Sequence, residues 1–419
     1  MASSFKRDQQ PTGVQPCSSP CKAAKGADSQ LSLAVQKRIE SFTGRPEPAS
    51  GLLATDKSPS LISADTSPCQ KRAMTLGPTL RRFNRYNAAL PYARAASDMN
   101  NLGDDPKPPN TDEPKQPKGP CLTRLPVNSP ALCRALGLPP GTLKDGDMRN
   151  DTTGFRAAMY RDESNGTLIL VPRDTQPKSL VDWQTNTRNG DGKFTEQYAS
   201  IRELSIRFSN ENVAFDVAGY SKGGGMAQEA ALYNPTAKAF VFNSAGIPDV
   251  SAGRNGNVDI HSLGSRTSAF SAENDFLTDM NNTKDPELQI ENVKFLQREL
   301  EGKNRCLVAP MKIDHRSPEL SSAQDDPSFS KELSNYLSEL DDKIKSMEAS
   351  KASGQIVHSF PPVRAGQQET IPGKSQNSSS DGPNLGKLAQ HQMKNVLDPM
   401  EKAVEKDKHI LKNFLACCG

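Results

Sequence analysis

Residues 215–234 read FDVAGYSKGGGMAQEAALYN. Phe215 to Ala218 form a short apolar run of strand type, Gly219-Tyr220-Ser221-Lys222-Gly223 fits G-x-S-x-G, and Gly225 to Tyr233 is rich in strong helix formers. A strand, a sharp glycine turn and a helix are the setting that a nucleophile elbow requires. Glycines suit such a turn because a serine on a strained backbone leaves little room for flanking side chains.

Strand and helix patterns alternate around this segment. Phe155–Tyr160 (FRAAMY) and Thr167–Val171 (TLILV) predict two strands joined by a polar turn at 161–166. Glu196–Ser209 predicts a helix through Tyr198, Ile201, Leu204, Ile206 and Phe208, and Ala239–Asn243 predicts another buried strand. Such alternation implies an α/β fold, a mostly parallel sheet with helices on both faces. The pattern fills residues 119–345, enough chain for one full core.

The flanks read differently. Residues 1–118 are rich in Ser, Pro, Lys and Asp and are expected to be a disordered arm, and 346–384 a disordered linker. An apolar fraction of only 34%, with 32 prolines and 29 glycines, fits long unstructured stretches. Within the arm, Leu80–Arg94 interleaves basic and aromatic residues, as a solvated linker with a transient helix or as a contact for an acidic membrane or partner. Residues 385–419 predict an amphipathic helix through Met393, Val396, Met400, Val404, Leu411 and Phe414, with Pro399 expected to kink or split it. That helix suits either a membrane interface or packing on the core. Cys417 and Cys418 near its end are lipidation candidates, although the ending is not a C-a-a-X box.

Composition narrows the function classes. A formal charge of +3 gives no electrostatic case for nucleic acid. Eight scattered cysteines without histidines at zinc spacing predict no metal site, and free thiols in a reducing compartment. No run of 18 apolar residues suggests a transmembrane helix, the first residues lack the apolar centre of a signal peptide, and Ala2 excludes N-myristoylation. The expected location is the cytoplasm, or outside by a route needing no such peptide, delivery into a host cell included. The sequence does not specify an oligomeric state.

A serine nucleophile needs a base within hydrogen-bond reach and a carboxylate to orient that base. In α/β-hydrolases the order is serine, acid, histidine. His261 precedes any suitable acid, and His358, His391 and His409 fall in or beyond the linker, which leaves His315. Asp275 follows a predicted strand at 267–272, with Glu273 and Asp279 as competitors. One oxyanion donor is the backbone N–H of Lys222, and a second should come from the loop after an earlier strand, here 171–176.

The ordered series TLILVPRDT, VDWQTN, AGYSKGG, SAENDFLTD and DHRS, covering roughly residues 150–320, resembles the class 3 lipases and related lipase-like α/β-hydrolases. The resemblance implies a lipase or phospholipase that acts on ester bonds at a membrane surface, with lipid or phospholipid as substrate and no cofactor. It implies Ser221 as nucleophile, Asp275 as orienting acid, His315 as base, Thr175 as second oxyanion donor and Trp183 as packing for that donor's loop. Arg173, Asp174 and Tyr220 are the candidates to face substrate. The family's R-G-[ST] reads Arg173-Asp174-Thr175 here. A carboxylate at that place opposes a developing oxyanion unless it points away or pairs with Arg173. The alternative function is a lipase fold without turnover that binds acidic phospholipid headgroups. The long polar arms also resemble, in composition alone, those of bacterial effectors.

Overall fold

The structure is a computed structural model and describes residues 20–44, 67–102, 121–247 and 260–301 (both of these with internal gaps), 327–353, 367–372 and 392–418. Its centre is a mixed sheet. The strands are β1 (Leu122–Arg124), β2 (Arg149–Asn150), β3 (Phe155–Asp162), β4 (Thr167–Pro172), β5 (Asp216–Tyr220), β6 (Ala239–Phe242), β7 (Thr267–Ala272) and β8 (Gln367–Ile371). Their order is β1-β3-β4-β5-β6-β7-β8, with β2 paired to β3. β4 to β8 run parallel, whereas β1, β2, β3 and β4 pair antiparallel at one edge. The fold is α/β, and the expected strands at 155–160, 167–171, 215–218 and 239–243 all lie in this sheet.

Helices cover both faces. One face carries α1 (Pro20–Thr43), α2 (Pro68–Asn101) and α8 (Lys394–Cys418); the other carries α3 (Ser129–Leu136), α5 (Glu196–Asn210) and α6 (Lys222–Leu232). Two further helices are α4 (Leu180–Gly190) and α7 (Pro327–Ala352). Strand side chains alternate between the layers, as a pleat requires. Ala158, Tyr160, Ile169, Val171, Ala218, Phe242 and Phe270 meet the first set, and Ala157, Met159, Leu170, Val217, Val241 and Ala269 the second.

Several expectations about the flanks are overturned. α1 and α2 occupy much of the arm expected to be disordered, and the end of α7 and all of β8 lie in the expected linker. α2 starts at a capping box: the Gln70 N–H donates to the Ser67 hydroxyl (3.3 Å), and the Ser67 N–H donates to the Gln70 side chain (3.0 Å). Its Leu76, Leu80, Phe83, Tyr86 and Leu90 are buried on the sheet. The arginines of the 80–94 island pair within the protein. Arg82 donates to Asp407 through Nε (2.8 Å) and Nη2 (2.6 Å), Arg85 pairs with Glu369, and Arg94 with Glu401. The apolar stripe of α8 packs in the core with α2, and the helix runs past Pro399 as one element.

The cysteines differ most from expectation. Cys21 is bonded to Cys121 and Cys69 to Cys418, with Cα atoms 5.3 and 5.6 Å apart. Cys418 is therefore not a thiol open to lipidation, and Cys417 is a free, exposed one. Spacings of 100 and 349 residues hide such pairs from any local motif.

Candidate active site

Ser221 joins β5 to α6 with φ 53° and ψ −123°, in the left-handed region that costs a side-chain-bearing residue about 1–3 kcal/mol. Both of its peptide groups are held: its N–H donates to Phe242 O (3.0 Å), and its carbonyl accepts from the Ala245 N–H (2.9 Å). The neighbouring glycines are required by close approach. A Cβ at Gly219 would lie 2.1 Å from Gly223 O, and one at Gly223 would lie 2.5 Å from Pro172 O. The second clash shows that the loop after β4 rests directly against the elbow. Ser221 sits where an N-cap would, yet its side chain makes no cap to α6. The positive end of that helix faces the same place, which favours developing negative charge there.

Because β4, β5 and β7 are parallel, their C-terminal ends lie on one edge of the sheet. Ser221, the loop 173–176 and Asp275 all follow those ends, the usual location of a site in a parallel sheet. Asp275 is buried, and its Oδ2 accepts from the Thr278 N–H (2.8 Å) and hydroxyl (2.6 Å). Tyr220 is buried between the candidate groups. Burial first, then the nearby Asp174 and Asp275 carboxylates, hold its phenol well above the ordinary tyrosine range, so it stays neutral.

The loop carrying Thr175 is held in an unexpected way. The Thr175 N–H donates to the Asp174 carboxylate, so the donor expected to receive an oxyanion already has an anionic acceptor. Arg173 and Asp174 are both buried. The Thr175 hydroxyl meets Asn186 of α4, whose Nδ2 donates to it at 3.0 Å. Trp183 packs with the Tyr336 cluster of α7, and the Tyr336 hydroxyl donates to its carbonyl (3.0 Å).

Asp182 braces the loop, and sequence reasoning passed over it. This fully buried carboxylate accepts from the Gln176 N–H (2.8 Å), from Gln197 Nε2 (2.7 Å) and from Lys222 Nζ. Lys222 is also buried; burial lowers its pKa, and Asp182 foremost, with Asp174, pulls it back up. The one signal in the sequence was an acidic residue placed directly before the tryptophan of VDWQTN.

His315, His358 and His391 lie outside the described residues. His409 is on α8 with its Nε2 2.9 Å from Asn413 Nδ2. Among the described residues, no group of His, Cys, Asp and Glu is arranged to hold a metal ion, and no helix is long and apolar enough to cross a membrane.

Residues 112–310 match the family model of the Tle-like phospholipase domain. The chain is also similar to the extracellular phospholipase A1 of Serratia liquefaciens, 31% identical over 124 residues. That stretch is 29% of this chain and spans about a third of the relative's length (35%). The matched region is thus similar to a phospholipase-like domain, in line with the lipase-like resemblance of its motifs. The matched residues include Ser221 and Asp275 and end before His315.

Proposed function

We propose that this chain hydrolyses acyl esters of phospholipids at a membrane surface by a serine mechanism. Ser221 attacks the acyl carbonyl, His315 takes its proton and returns it to the leaving alcohol, and Asp275 holds the imidazole. Water, deprotonated by the same base, then cleaves the acyl-serine ester and releases the fatty acid. The N–H groups of Lys222 and Thr175 receive the oxyanion. For Thr175 to do so, Asp174 must turn its carboxylate away, and the nearby Lys222 ammonium offers it an alternative partner.

The observation that carries this reading is the left-handed backbone of Ser221 at the β5–α6 junction, enforced by glycines that no other residue could replace without a clash. The phospholipid substrate is suggested by the matched domain and by the activity for which the Serratia relative is named. Two disulfides favour an oxidising compartment over a reducing cytosol for the working protein.

The test is labelling by a fluorophosphonate probe together with hydrolysis of phospholipid vesicles. Wild type should label and turn over, and Ser221→Ala should lose the label with about 10⁴-fold or more of the rate. A folded wild type that neither labels nor turns over would sink the proposal. The hydrogen bond from Thr175 to Asp174 favours one second reading, a headgroup-binding module without turnover. Its signature is vesicle binding that Ser221→Ala leaves unchanged.

A further inference from the structure

The two proposed oxyanion donors lie on different segments, the loop after β4 and the first residue of α6. Their spacing has to be fixed to a fraction of an ångström for both to meet one oxygen. A single carboxylate bonds to both segments. Oδ2 of Asp182 accepts the Gln176 N–H, adjacent to Thr175, and Oδ1 accepts Nζ of Lys222, adjacent to Ser221. Gln197 of α5 donates to the same Oδ1 and, at 2.8 Å, to Thr153 O, which anchors the carboxylate to a third element.

From this convergence we infer that Asp182 is a positioning residue for the oxyanion site: it clamps the Thr175 loop to the Ser221 elbow and sets the separation of the two donors. The inference rests on the serine-hydrolase reading above. Burial is what makes the clamp stiff. Asp182 is 0% exposed and Lys222 2%, so water does not compete for the pair. Breaking such a pair on one side strands a charge in the interior, which is why a single substitution confounds fold with function. An apolar replacement of both partners avoids that penalty while still removing the acceptor of the Gln176 N–H.

The experiment compares wild type, Asp182→Asn and the double variant Asp182→Leu/Lys222→Met on a short-chain nitrophenyl ester. Rates are expressed per Ser221 titrated by fluorophosphonate, so loss of folded protein does not enter. Asn retains one acceptor oxygen where two are used, so it holds one segment and releases the other. Both variants should lose about ten- to a hundredfold in kcat per titrated site, with KM changed less than about threefold. The double variant should do so while unfolding at a wild-type urea concentration. Wild-type kcat per site in either variant would overturn the inference. Failure of both to yield titratable Ser221 would assign Asp182 to the fold alone and overturn it as well. A wild type without titratable serine points elsewhere, since it removes the hydrolase reading and this inference with it.

Discussion

The two faces of the sheet bury similar strand residues but are covered by helices of different origin. The face beneath α5 and α6 is closed by elements that lie between the strands in sequence, each joined to its neighbours by short connections. The opposite face is closed by α1, α2 and α8, drawn from the two ends of the chain and tied by disulfides to Cys121 and to each other. The proposed chemistry goes with the first face: Ser221, Lys222 and the residues that brace them sit on α4, α5 and α6 or at their starts. The second supplies burial. Tyr92 stacks on Phe240 at 3.7 Å and its hydroxyl donates to Asp216 (2.6 Å), and the Tyr160 hydroxyl donates to Asp98 (2.8 Å). The difference teaches that activity and stability are largely separable by face here.

That separation can be broken by substitution. Phe83→Ala removes a ring that is 1% exposed at the centre of the α2 layer and should cost about 3–5 kcal/mol in urea unfolding. The rate per titrated Ser221 should stay within about twofold of wild type; a large fall would show that the faces are coupled. The paired change Cys69→Ser/Cys418→Ser should cost about 2–4 kcal/mol. Reductant added to wild type, which opens the Cys21–Cys121 bond as well, should cost at least that much, again without changing the rate per site. The smallest effect concerns pH. Burial, opposed by Arg85, the Tyr86 hydroxyl and Arg82, raises the pKa of Glu369 on β8. The folded state then holds a proton that the unfolded chain has released, so stability should decline as pH rises from the ordinary glutamate value through the raised one, and level off above it. Glu369→Gln should flatten that slope, and a slope that survives would assign it to another group.

The sequence was legible where pattern and connection are local. The strands of β3 to β7 show apolar runs, α5 a helical stripe, and the elbow a motif, so the α5–α6 face could be drawn from residues alone. α2 was hidden because Ala73, Ala89, Ala93, Ala95 and Ala96, weak markers of a core, share its buried face with the larger residues, and Gly77, Pro78 and Pro91 interrupt it. β8 reads QQETI and shows no alternation; only its pairing with β7 makes it a strand. At the site, Ser221 and Asp275 follow strand ends that a reader can find. Asp182 acquires meaning only when Gln176, Gln197 and Lys222, from three separate segments, converge on it.

Placing α8 beside α2 also has a consequence for biosynthesis. Phe83, Phe270 and Ile371 share one core cluster with Val404, Leu411 and Phe414, which leave the ribosome last among the described elements. Until they arrive, one whole side of the sheet keeps part of its apolar surface in water, a state prone to aggregation. Closure of this face therefore waits for the latest-made of its helices, and a chaperone that shields the nascent sheet would have most to do on the α2 side.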